Sequence, residues 1–83
     1  MRKIVLDAEQ IDSRETLFAC VKEQMGSEVF VGNNLDAFYD ALTECAEPVE
    51  LEVGDAGLVR EKLGSYFDRF LRVYQEYRQE KEL

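Results

Sequence analysis

The stretch VGNNLDAFYDAL, Val31 to Leu42, sets two aspartates, Asp36 and Asp40, four residues apart behind a glycine and two asparagines. As the acid and base of a glycoside hydrolase, such a pair needs a cleft and one raised pKa. The surface of one short helix in an 83-residue chain offers little of either. As metal ligands, two oxygen-only side chains need company, and the chain contains no histidine to complete a transition-metal set. Cys45 likewise lacks the histidine that would activate a cysteine nucleophile. No enzyme activity, no cofactor and no metal site is expected. A chemistry that needs only charge remains: carboxylates presented to a cationic partner.

A purely structural account of the two aspartates stands beside this one. Asp36 falls in the first turn of a helix, where the helix dipole stabilises a negative charge by roughly 0.3–1 kcal/mol. Asp40 has no such role, and like charges at i, i+4 repel by a few tenths of a kcal/mol. A solvated face that happens to be acidic accounts for both. At about 100° per residue, Asp36, Asp40 and Thr43 lie on one wet side of the helix, with Leu35, Phe38 and Leu42 opposite.

The elements that must carry these residues are legible from pattern. RKIVL, Arg2 to Leu6, is a short β-branched apolar run and reads as a buried strand. Asp12 and Glu15 are spaced as a capping box for a first helix with Leu17, Phe18, Val21 and Met25 as its stripe and Gly26 as its stop. Asn34 caps a second helix running to about Thr43. Pro48 breaks the chain, and the strict alternation of VELEV, Val49 to Val53, predicts a strand with one face buried and one wet, typical of a sheet edge. GDAG reads as a turn. Helix resumes at Leu58 with an interruption near Gly64. Leu63, Tyr66, Phe67, Phe70, Leu71, Tyr74 and Tyr77 keep a 3.6-residue period that reads as core. The tail RQEKEL is polar and expected to fray. Strands separated by helices favour a parallel pair, with an edge of the first strand left open.

Composition bounds the function. Eighteen acidic against 10 basic residues give a net charge of −8, which argues against direct binding to nucleic acid or to an anionic membrane surface and suits either a merely soluble acidic surface or attraction to a basic partner. The length fits a single domain over 1–83, and 46% apolar content is ordinary for a globular fold. MRKIVLDAEQ lacks the apolar run of a signal peptide, and no run approaches a membrane span. Cys20 and Cys45 sit in or beside apolar helical patterns without a CxxC spacing; two buried, free thiols in an unsecreted chain indicate the cytoplasm.

FVGNNLDAFYDAL resembles the central motif of the barstar family of intracellular ribonuclease inhibitors. Gly32, Asn34, Leu35, Asp36, Ala37, Asp40 and Leu42 stand where that pattern wants them. EQI at Glu9 to Ile11, Pro48 before the second strand, and FLRVYQEY in the last helix extend the resemblance over roughly residues 1 to 80. It implies a small α/β fold of two or three layers, a short parallel sheet covered by three to four helices. It also makes Glu47–Pro48 a candidate cis bond. The family's third parallel strand after the last helix is missing here, so the sheet has two strands or its edge is covered by a partner or a second copy. Family aromatics in and after the central helix correspond to Tyr39 and Cys45, and Phe30 keeps an aromatic without a hydroxyl. These replacements bear on which enzyme is the target.

The resemblance implies an inhibitor or immunity protein in bacteria, whose partner is a small basic ribonuclease. Its cationic active site would be filled by carboxylates set where substrate phosphates lie. Asp40 would be the central anchor, Asp36 a second charge contact and Glu76 a peripheral one. Phe30, Gly32, Asn34, Tyr39 and Thr43 would surround them. The alternative is a barstar-fold assembly module that has lost inhibition and forms a homodimer through its open sheet edge; a truncated or decaying gene product is a third reading.

Overall fold

The computed structural model describes residues 2–26 and 32–81. The elements run β1 (Arg2–Leu6), α1 (Arg14–Met25), α2 (Leu35–Glu44), β2 (Val49–Val53), α3 (Ala56–Leu63) and α4 (Ser65–Lys81). The two strands pair in parallel, from Arg2 opposite Val49 to Leu6 opposite Val53. Ile4 and Leu6 of β1 are fully buried, whereas β2 buries Val49 and half-buries Leu51 and Val53 between exposed glutamates, the alternation VELEV predicts.

The helix boundaries follow local hydrogen bonding. α1 is capped by Ser13, not Asp12, and Thr16, not Glu15, closes the box: Thr16 N donates to Ser13 Oγ at 3.2 Å and Ser13 N donates to Thr16 Oγ1 at 2.9 Å. Asp12 is drawn into the same network, donating its backbone N–H to Thr16 Oγ1 at 2.9 Å and accepting from that hydroxyl at 3.1 Å. α1 stops at Gly26, whose φ of 95° favours a residue without a Cβ. In place of the expected turn at GDAG, Asp55 caps α3, its carboxylate accepting from Leu58 N at 3.1 Å, so α3 begins two residues before Leu58. Gly64, with φ of 64°, makes the break between α3 and α4. The polar tail expected to fray continues α4 from Arg78 through Lys81, past the last buried residue, Tyr77, and its remaining two residues lie outside the described ones. No cis peptide bond occurs among the described residues, so Glu47–Pro48 is trans, the lower-energy form of an Xaa–Pro bond.

The core is one apolar cluster fed by every element. Phe18 of α1 lies 6.3 Å from Phe38 of α2 and 6.1 Å from Phe70 of α4, ring centre to ring centre. Phe38 and Phe70 stack at 4.4 Å with their planes 14° apart. Burying three aromatic rings contributes several kcal/mol through apolar area alone. It also fixes α2 against α4. Cys20 and Cys45 are free and half-buried rather than buried, since both lie at the margin of this cluster.

A two-stranded sheet leaves both outer edges to be satisfied, and both are occupied by side chains. In a parallel ladder, alternate residues turn their N–H and C=O away from the partner strand. On β1, Val5 N donates to Gln24 Oε1 and Gln24 Nε2 donates to Val5 O, each at 2.7 Å, so one glutamine amide from α1 imitates a neighbouring strand. On β2, Val49 N donates to the Tyr77 hydroxyl at 3.1 Å. Leu51 N donates to the Tyr74 hydroxyl at 3.0 Å, and that hydroxyl donates to Val49 O at 3.0 Å. The open edge expected on β1 is thus taken up at Val5. The edge of β2, where a third strand would pair, is held by two tyrosines of α4 that are themselves buried.

Candidate functional site

α2 is a short helix with an unambiguous start. Asn34 Oδ1 accepts from Ala37 N at 2.7 Å, satisfying one of the N–H groups that a helix start leaves unpaired. Phe38, Ala41 and Leu42 are fully buried and Leu35 is half-buried. The 3.6-residue repeat therefore leaves Asp36 and Asp40 exposed on the other side. Four residues of helix separate them by about 6 Å along the axis. Neither carboxylate forms an ion pair among the described residues: Arg60 is engaged by Asp68 at 2.8 Å, and the Arg14 guanidinium lies over the ring of Tyr66.

The neighbouring candidates divide into those that join this face and those with local duties. Tyr39 is half-buried, and its hydroxyl donates a hydrogen bond to Glu80 of α4. Its pKa is pushed up from 10.0 to about 12, first by that bond, then by burial, then by the negative charges of Glu80, Glu76 and Asp40. Asp40, Tyr39, Glu76 and Glu80 are therefore brought within electrostatic reach of one another where α2 meets the end of α4. Glu80 was not singled out in the sequence. It lies four residues beyond Glu76, and that helical spacing is the signal that could have flagged it. Thr43 is half-buried and turns its hydroxyl back to Asp40 O at 2.9 Å, a bond within its own helix. Asn34 serves as the cap, and Gly32 is half-buried just before it. Phe30 lies outside the described residues.

The charge distribution around this face is one-sided. No lysine or arginine occurs between Lys22 and Arg60, while nine of the 18 acidic residues do, Asp36, Asp40 and Glu44 of α2 among them. Among the described residues no group of three or more histidine, cysteine, aspartate or glutamate side chains could hold a metal ion. No described helix is long and apolar enough to cross a membrane.

A two-stranded parallel sheet under four helices, with an acidic helix held by its inner face against the last one, has the architecture of a small α/β protein of the barnase-inhibitor class. The family model described as Barstar (barnase inhibitor) matches residues 1–82, and the chain belongs to the barstar family. It is 35% identical over 81 residues to a Bacillus subtilis (strain 168) protein named "Putative ribonuclease inhibitor YrdF", a match that covers 96% of this chain and 89% of that protein.

Proposed function

We propose that this chain is a cytoplasmic bacterial inhibitor, or immunity protein, of a small basic ribonuclease, acting as one domain over residues 1–83. The observation that carries the reading is the pair Asp36 and Asp40: exposed, one helical turn apart, and without a cationic partner among the described residues. A ribonuclease must hold phosphates with cationic side chains, so its active site is a positively charged cleft. Carboxylates about 6 Å apart along a helix approximate adjacent phosphates. Their mutual repulsion is relieved when guanidinium or ammonium groups arrive. Inhibition is then occupancy, with no bond made or broken.

In this reading Asp40 is the central anchor, because Glu76 and Glu80 add their negative charge to its own around the neutral Tyr39. Asp36 adds a second charge contact at the start of the helix, and Glu76 a peripheral one. Gly32, Asn34, Tyr39 and Thr43 form the rim; the family resemblance adds Phe30, which lies outside the described residues. The net charge of −8 steers the encounter with a basic enzyme, and that steering fades as salt shortens the screening length. A homodimer through the sheet edge has less support, since Gln24, Tyr74 and Tyr77 already engage the backbone groups it would use.

The test is the affinity of wild type and Asp40→Ala for a barnase-type ribonuclease at two salt concentrations. Truncating a buried charge contact costs about 2–5 kcal/mol of binding. A loss below about 1 kcal/mol puts Asp40 at a rim and removes it as the anchor.

A further inference from the structure

A second charged feature, opposite in sign, lies where α1 begins and α3 gives way to α4. A surface pocket of about 360 Å³ there is lined by Arg14, Lys62 and Arg69, with the hydroxyl-bearing Ser13, Ser65 and Tyr66 between them. Three cations in one pocket are unexpected in a chain of net charge −8. No carboxylate lines it, and none of the three cations forms an ion pair among the described residues. The Arg14 and Arg69 guanidinium carbons lie 5.1 and 5.5 Å from the centre of the same Tyr66 ring. That aromatic face organises two like charges without neutralising either. Lys62 Nζ donates to Ala8 O at 2.8 Å, which fixes the ammonium group and leaves its charge uncompensated.

The backbone adds to the same polarity. Ser13 is the cap of α1 and Ser65 the first residue of the 17-residue α4, so the positive ends of two helices reach the pocket against the single negative end of α3 at Leu63. Tyr66 and Glu80 are separated by about 21 Å along α4 at 1.5 Å per residue, which puts the pocket far from the acidic face.

We propose that the Arg14–Lys62–Arg69 pocket binds a small phosphate-bearing anion of the diphosphate type. Three fixed cations match a ligand with at least two negative charges. Guanidinium forks and serine hydroxyls suit phosphate oxygens, with geometric selectivity that diffuse screening lacks. A nucleic-acid strand carries the same phosphate chemistry, but beyond the pocket it would meet the negative excess of the remaining surface. The proposal does not depend on ribonuclease inhibition, so its failure leaves that reading standing.

The test is an amide NMR titration of the full chain with pyrophosphate, against sulfate at matched ionic strength. Saturable shifts are expected at Ser13, Arg14, Ser65, Tyr66 and Arg69, with roughly tenfold or greater weakening in the Arg14→Gln, Arg69→Gln double variant. Because both arginines pack on Tyr66, Lys62→Gln serves as a second variant and should weaken binding by roughly threefold or more. Absence of saturation up to about 10 mM pyrophosphate, equal shifts with sulfate, or unchanged affinity in both variants overturns the proposal. A short oligoribonucleotide is expected to bind roughly tenfold more weakly than pyrophosphate; equal or tighter binding overturns the small-ligand assignment in favour of nucleic acid.

Discussion

Two pairs of polar side chains on two helices meet opposite fates in this molecule. Tyr74 and Tyr77, three residues apart on α4, are buried, and their hydroxyls are taken up by the backbone of β2 at Val49 and Leu51. Asp36 and Asp40, four residues apart on α2, are exposed, and no cation inside the described structure answers them. The first pair is consumed by folding. It replaces hydrogen bonds that a further strand would otherwise supply, and a buried donor without such a partner costs about 1–3 kcal/mol. The second pair gains almost nothing from folding beyond a dipole contact at Asp36. Polar groups that the fold does not need are the ones available to a partner, and the contrast makes stability and binding separable by mutation.

The widest separation is expected from the double variant Asp36→Ala, Asp40→Ala. Its affinity for a basic ribonuclease should fall by about 4 kcal/mol or more, while its unfolding free energy stays within about 0.5 kcal/mol of wild type. Calorimetric titration and urea unfolding on the same preparations check both halves. Tyr77→Phe should do the reverse: Val49 N loses its acceptor and stability falls by about 1–3 kcal/mol, with the affinity of the folded protein unchanged. A Tyr77→Phe protein that folds as stably as wild type but binds worse would dissolve the distinction. Asn34→Ala sits between the two cases. Losing the cap should cost about 1 kcal/mol of stability, read in urea, and a binding loss of similar size would show that α2 must be firmly started to present its carboxylates.

The smallest effect concerns Tyr39, which belongs to both worlds. Folding raises its pKa from 10.0 to about 12, so the native state holds the phenolic proton more tightly than the unfolded chain does. Its contribution is therefore fully present below about pH 10 and is lost as pH rises through about 12. Ultraviolet titration should find Tyr39 ionising in that high range, and Tyr39→Phe should remove its step while leaving that of Tyr66, which burial also raises. Persistence of the step that Tyr39→Phe should remove would reassign it to another tyrosine.

How much of this was legible in the sequence depends on whether the deciding interaction is local. Asn34 as a cap, Gly26 as a stop and the alternation of VELEV all depend on residues within a few positions, and each stands where the pattern puts it. The α1 cap went to Ser13 because Asp12, Ser13 and Thr16 form one network, and spacing alone does not choose between two adjacent cap residues. At GDAG, glycines on both sides of Asp55 signal a turn, yet the Asp55 carboxylate uses the same residues to start α3. Long-range partners were not readable. Tyr74 and Tyr77 fit an apolar stripe, and nothing in a 3.6-residue period reveals that their hydroxyls end on a strand more than twenty residues earlier in the chain. Glu80 joins the candidate face only through Tyr39, 41 residues away. Spacing on one helix brought the acidic pair into view and the family motif gave it a role, whereas the basic pocket arises from segments that no motif connects.

The most direct test of the central claim is ribonuclease activity titrated with three proteins in parallel: wild type, Asp36→Ala with Asp40→Ala, and Tyr74→Phe with Tyr77→Phe, each scaled to its folded fraction. If the α2 carboxylates inhibit and the tyrosines only hold the fold, wild type and the tyrosine variant abolish activity at equimolar protein while the aspartate variant leaves it standing. Equal inhibition by all three would contradict the claim and move the inhibitory contact off α2.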